Sequence, residues 1–323
     1  MVLTALIIFL IFALVFVIFL VLDIVKAKKN NEKYHLRQSL VAYLLLFPAV
    51  ILTFLFILLP ILYSLGYAFT DYNLFKPESI NFNGFSNFTK LFQEFAEQGD
   101  IYHAVINTLI FVVLVVPLQI FLALFLAIFS NQKIKGAGIF KVCFFAPVVI
   151  SLTVTSYLWL QILSPSESGL LNSILSMFGV EKIDYLNSDG AMIWIVVISA
   201  WQGCGYQMLI FLSALSNIRK DLYEAASLDG ANKWKQFIHI TLPALKPTML
   251  YVLITVFIGA CRIMVQPMLM TGYKTNTMTL SYYMYTEGYT NHWVGYSSAV
   301  ALLMTIFIGA ITLIQRKVLK EKK

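Results

Sequence analysis

Long apolar runs alternate with short polar ones along the whole chain. Seven segments have the length and apolarity of a membrane-spanning helix: 2–22, 40–69, 102–130, 139–163, 191–215, 248–270 and 295–314. A bilayer core about 30 Å thick takes about 20 helical residues. Lipid offers the backbone no hydrogen bonds, so only helices or closed barrels cross it. The pattern therefore predicts an all-α polytopic membrane protein with about seven transmembrane helices. Pro48, Pro60, Pro117, Pro147 and Pro267 fall inside these segments and predict kinks. In the first segment the positive charges (Lys26, Lys28, Lys29, Lys33 and Arg37) follow the apolar run. A signal peptide carries them before it, so an uncleaved helix with its N-terminus outside is expected.

Composition agrees: 59% of residues are hydrophobic and only 12% charged, where a soluble domain has about 25% charged. The net charge of +7 raises nucleic acid as a partner, but its distribution fits a membrane better. With the N-terminus outside, the stretches 23–38, 131–141, 216–247 and 315–323 face the cytoplasm and hold 18 of the 23 Lys and Arg. That bias follows the positive-inside rule and places the C-terminus in the cytoplasm. Residues 70–100 and 164–190 then form polar, acidic external loops suited to capping the bundle or meeting a partner. Cys143, Cys204 and Cys261 lie in apolar segments and read as small buried hydrophobes, with no metal or disulfide spacing.

One cytoplasmic stretch is unlike its apolar surroundings. Between Glu224 and Pro247 the chain reads EAASLDGANKWKQFIHITLPALKP. Asn217 or Asp221 can cap a helix start, and Asp221 with Glu224 has capping-box spacing. Leu222 to Ala226 supplies helix formers, Gly230 permits a sharp turn, and Lys233 to Thr241 forms a second helical stretch. Pro243 and Pro247 are expected to interrupt or restart the helix that enters the membrane. A short helix, a turn and a second helix would lie across the cytoplasmic mouth. An amphipathic interfacial linker is the plainer alternative.

The extended pattern Glu224-Ala225-Ala226, then Asp229-Gly230, then Leu242-Pro243 resembles the EAA loop of permease subunits in ABC importers, specifically the carbohydrate-uptake branch of type I importers. Phe69-Thr70-Asp71-Tyr72, Asn107-Thr108, Trp159, Gly169-Leu170-Leu171-Asn172 and Gly295 to Ala299 are similar to that family's wording. The extra first helix resembles that of the larger permease in the maltose transporter. The resemblance implies a type I permease fold in a bacterial plasma membrane. It also implies four partners: a second, homologous permease, a cytoplasmic ATPase dimer holding ATP and Mg, an extracellular solute-binding protein, and the lipid bilayer. It divides the chain into 1–38 (extra helix and basic linker), 39–100, a core permease domain at 101–315 with its coupling loop at 216–247, and a basic tail at 316–323. No Walker A pattern, G-x-x-x-x-G-K-[ST], occurs, so nucleotide chemistry falls to another subunit. Met264-Val265 and Gly272-Tyr273-Lys274 depart from the family's usual wording near the substrate path.

Arg262 is the one full charge deep inside an expected span, where charges face a cavity or a partner. It and Gln266, four residues on, are candidates to line a path or to pair at a subunit interface. Trp201, Gln202, Tyr206 and Asn107 supply the rings and hydrogen-bonding groups that saccharide sites use, with core packing as the alternative for each. The four histidines are scattered, and no catalytic constellation or metal spacing occurs, so no enzyme site is expected. Two other functions compete. An ion-coupled secondary transporter needs intramembrane Asp or Glu, which the expected spans lack. A membrane assembly protein would use the 216–247 loop only to recruit a soluble partner.

Overall fold

The computed structural model describes Val21, Val25 and residues 36–132, 136–166 and 169–319. The expected first span, 2–22, and most of its basic linker lie outside the described residues. The chain divides into two compact units, Met1–Gly66 and Tyr67–Lys323. In the first, helix α1 (Leu36–Thr53) passes through a π-turn (Phe54–Leu58) into α2 (Leu59–Tyr67). Its apolar side chains, such as Leu45 and Phe56, are exposed rather than packed.

The second unit contains α3 (Ser86–Ala96), α4 (Asp100–Ser130), α5 (Ala137–Val149), α6 (Leu152–Ile162), α7 (Leu170–Ser176), α8 (Ala191–Ser216) and α9 (Lys220–Leu228). It continues with α10 (Lys233–Gln236), α11 (Leu242–Cys261), α12 (Val265–Met270), α13 (Leu280–Tyr285) and α14 (Val294–Leu319). No strand occurs among the described residues; Thr70 and Phe82 form an isolated bridge. Among the described residues, five helices are long and apolar enough to cross a membrane, or six when the bent α5–α6 pair counts as one span. The core forms where α4, α8 and α11 pack together: Phe111, Val115, Ala123 and Ala127 meet Ile195, Ala200, Met208 and Phe211, with Val252 and Ala260 closing the layer. Small residues in that list let backbones approach, which is how helices associate where lipid offers no hydrophobic drive.

Two expected spans are not single helices. Segment 139–163 turns by 101° between α5 and α6. Pro147 lies two residues before the end of α5, and Ile150 is extended. Ser151 then caps α6 by accepting a hydrogen bond from the Val154 amide at 3.3 Å. Segment 248–270 breaks after Cys261, and α12 starts only at Val265. Pro267 occupies the first turn of α12, where its missing N–H would have had no partner. The break is held by the Thr279 hydroxyl, which donates to the Ile263 carbonyl at 2.6 Å.

The sequence predicts that Pro243 and Pro247 interrupt or restart the helix that enters the membrane. Pro243 stands in the first turn of α11, where the α-helix restarts, and neither proline interrupts the helical run 233–261. At Pro243 the reason is a π-turn at Phe237–Thr241, ending two residues before it; Pro247 sits within plain α-helix. The π-turn at Phe54–Leu58 ends two residues before Pro60 in the same way. Proline clashes with the carbonyl four residues back. Here that carbonyl belongs to Phe56 or His239, inside a wide turn closed by an i→i−5 bond, from Leu59 to Phe54 or from Leu242 to Phe237. Pro117 sits within plain α-helix in α4.

The segments 70–100 and 164–190 are pinned by buried asparagines. The Asn87 amide donates to the Ala68 and Thr70 carbonyls at 2.9 and 2.8 Å. Asn172 donates to the Ser164 and Ile183 carbonyls and accepts from the Ile183 amide. Each side chain replaces backbone hydrogen bonds that an irregular segment cannot make for itself.

Candidate functional site

Two places in the second unit concentrate polar chemistry. The first is a cavity of about 560 Å³ among α4, α8 and the broken α11–α12 segment, with the α5–α6 bend on its wall. Its polar lining is mostly amide. Ser199 donates to Gln266 Oε1 at 2.6 Å, and Gln266 Nε2 donates to Gln202 Oε1 at 3.2 Å. Gln202 Nε2 in turn donates to Thr155 Oγ1 at 3.1 Å and to the Ile150 carbonyl at 3.2 Å. Gln119 donates to Gln207 at 3.0 Å across α4 and α8. A buried amide without partners costs about 1–3 kcal/mol, so this chain of bonds fixes each group. Gly203 leaves room for the Gln119 amide, which a Cβ there would displace. Arg262 ends α11 at the break and lines the cavity; its guanidinium has no hydrogen bond or ion pair among the described residues. The cavity thus offers fixed neutral amides, an unspent cation and apolar walls from Phe111, Val115 and Val256. That is the make-up of a site for a polar, uncharged or weakly anionic small molecule.

The second place is the 216–247 loop. The N-cap position of α9 is Arg219, not Asn217 or Asp221. Asn217 ends α8, while Asp221 sits in the first turn and pairs with Arg219. The expected capping box is therefore absent, because Asp221 is already inside the helix. The C-terminus is better built. The Gly230 N–H bonds to the Ser227 carbonyl at 3.1 Å and the Ala231 N–H to the Ala226 carbonyl at 2.9 Å. This is a Schellman end. It needs a left-handed residue, and Gly230 supplies it with φ +78°. Asn232 then caps α10 by accepting from the Lys235 amide at 2.9 Å. Gln236 bonds back to Ser227 and Ala231, and the Tyr223 hydroxyl reaches Thr241 at 2.8 Å. Both arms are bonded to each other and to the membrane helix, while Glu224 and Ala225 face outward. Leu228 is 90% and Trp234 67% exposed.

The structure gathers Arg262, Gln266 and Gln202 around one cavity and leaves three other candidates elsewhere. Asn107 is spent on the Thr275 and Met278 carbonyls at 2.7 and 2.9 Å, so it clamps the 271–279 loop to α4. Tyr206 lines a separate groove of about 780 Å³ with Phe145 and Tyr251. Trp201 meets Trp159 edge to face at 5.7 Å. Leu242 and Pro243 lie past the π-turn at the start of α11, and Asp229 closes α9. Sequence reasoning missed Gln119, Ser199 and Gln207. Their signal was available: each is a hydrogen-bonding residue within an apolar span, where such groups need partners.

Residues 95–322 match the family model described as "Binding-protein-dependent transport system inner membrane component". The probable ABC transporter permease protein YurN of Bacillus subtilis (strain 168) is 33% identical over 294 residues, covering 89% of this chain and 98% of the relative. The arabinooligosaccharides transport system permease protein AraP of the same organism is 33% identical over 288 residues, covering 85% and 87%. The fold matches a chain of a bacterial alginate ABC transporter, solved in complex with an alginate pentasaccharide-bound periplasmic protein. The TM-score is 0.75 over 89% of this chain and 98% of that chain, at 24% identity.

Proposed function

Because the chain belongs to the family of binding-protein-dependent transport system inner membrane components, we propose that it is the permease subunit of an ATP-driven importer that brings a sugar, an oligosaccharide by class, into a bacterial cell. The observation that carries the reading is the continuity between the loop and the cavity. Residues 233–261 form one helical element of about 43 Å at 1.5 Å per residue. One end carries the turn at Gly230 with Glu224, Leu228 and Trp234 outward. The other ends at Arg262 on the cavity wall. A push on the loop is delivered to the cavity by a rigid rod rather than by a flexible linker, which is what coupling two distant sites requires.

In this reading the 216–247 loop faces the cytoplasm, as the distribution of Lys and Arg favours, and docks a separate ATPase. ATP and Mg act in that ATPase. A second, homologous permease completes the bundle, and an external binding protein delivers the sugar. The broken helices at 150–151 and 262–264 give the cavity walls that can rearrange, since broken spans line transport sites in membrane proteins. The relative named for arabinooligosaccharides supports the substrate class.

The test is purification of the tagged chain from its native membrane, followed by reconstitution with its co-purifying proteins and uptake of labelled arabinotriose, maltotriose and raffinose. A P-loop ATPase and a second permease are expected to co-purify, and ATP is expected to drive uptake of one saccharide. ATP-independent uptake by the chain alone would overturn the proposal.

A further inference from the structure

A second cavity, of about 520 Å³, lies at the other end of α12 and plays no part in the mechanism above. Tyr273, Tyr282 and Tyr285 supply its rings, Thr290 and Asn291 its polar rim, and Met268 its contact with α12. The central cavity touches the same helix at Val265 and Gln266. The two cavities are therefore neighbours along six residues of chain.

The chemistry of this outer cavity is that of a saccharide site. Its tyrosine rings offer flat apolar faces; the Tyr273 and Thr286 hydroxyls are spent on Asp100 and on the Tyr282 carbonyl, and three others are not. The Tyr282 ring is buried, yet its hydroxyl makes no hydrogen bond among the described residues; neither do those of Tyr285 and Thr290. Tyr273 is oriented by donating to Asp100 at 2.7 Å. Asn291 donates to Glu287 at 2.9 Å, leaving its carbonyl oxygen available. The wall is rigid. Thr286–Thr290 is a π-turn closed by the Asn291 N–H on the Thr286 carbonyl at 2.8 Å, and such turns recur at functional sites. His292, held in the left-handed region at φ 65°, accepts from the Leu74 amide. The Asp100 and Glu287 carboxylates accept from Tyr273 and Asn291, Lys90 acts on Glu287 from outside, and no Lys or Arg lines the cavity. That disfavours an acidic sugar and favours a neutral one.

Resting on the sugar-importer reading, we propose that this cavity is an outer subsite that holds a second neutral ring of the saccharide while the first occupies the central cavity. One face of Tyr285 is stacked on Tyr289 at 5.3 Å; the other stacks on the sugar ring, and Thr290 and Asn291 bond its hydroxyls. Two cavities in file on one helix suit a chain of two or more rings better than a single ring.

The test compares Tyr285→Ala and Thr290→Val with wild type in the reconstituted transporter, using arabinotriose, maltotriose and raffinose beside arabinose and glucose. Thr290 makes no hydrogen bond that folding needs, so its variant stays informative if Tyr285→Ala assembles poorly. The expected result is a roughly five- to tenfold fall in trisaccharide uptake in both variants, with the loss partly restored by Tyr285→Phe. Unchanged trisaccharide uptake, or wild-type transport of monosaccharides only, overturns the subsite and leaves the importer reading standing. Failure of wild type to take up any sugar overturns the importer reading and the subsite with it.

Discussion

The 216–247 loop and the central cavity use polar residues in opposite ways. In the loop, Gln236 bonds Ser227, Tyr223 bonds Thr241 and Asn232 caps the Lys235 amide, and the apolar Leu228 and Trp234 are left outside. In the cavity the amides of Gln202 and Gln266 are buried, and Arg262 is the group left unspent. One surface is satisfied in its polar groups and exposes apolar ones, which suits the docking face proposed for it. The other is filled with fixed dipoles and lacks a polar guest. The contrast says that binding at the loop is expected to be driven by area, and binding at the cavity by hydrogen bonds.

The largest effect should come from the loop. Leu228→Asp puts a charge at the most exposed apolar position. Loss of a buried interface anchor costs about 2–4 kcal/mol, so ATPase recovery on purification is expected to fall thirtyfold or more while saccharide binding by the external protein is unchanged. Retained ATPase would break the contrast. A smaller effect is expected from Gln202→Leu, which strips partners from Thr155 and Gln266. The expected cost is about 1–3 kcal/mol in thermal stability, with uptake reduced and ATPase recovery intact. The smallest concerns Glu287, beside the outer cavity. Burial raises its carboxyl above the ordinary value, opposed by the Asn291 hydrogen bond. The folded state therefore holds this proton more tightly than the unfolded one. Its contribution to stability is present below the ordinary carboxylate range and is lost as pH rises through the raised value. Glu287→Gln should flatten that part of the melting-temperature profile, and an unchanged profile would remove Glu287 from the account.

The spans were legible because apolarity over about 20 residues has few other meanings. The loop was legible because polar residues between spans stand out, and because Gly230 needs its conformation locally. What was not legible depended on partners distant in sequence. In the sequence Asn107 is a candidate for either saccharide binding or packing, and only its bonds to the Thr275 and Met278 carbonyls, 168 and 171 residues away in the chain, decide between them. The prolines misled for a related reason. Pro243 announces a break, but the wide turn before it removes the clash, and a turn type is set by backbone bonds rather than by residue names. The 101° bend at 150–151 was foreshadowed by Pro147, but its size depends on Ser151 starting a new helix at once.

The π-turn at Phe237–Thr241 has a geometric consequence for chain length. It holds one residue more than the α-turn it replaces, and each helical residue advances the azimuth by about 100°. The wide turn therefore absorbs one residue of length with little change of phase, whereas one residue added to plain α-helix would re-aim Trp234 by about 100° relative to Arg262. Deleting any one residue in 237–241 would restore plain α-helix and bring the Pro243 ring back against the carbonyl four residues earlier.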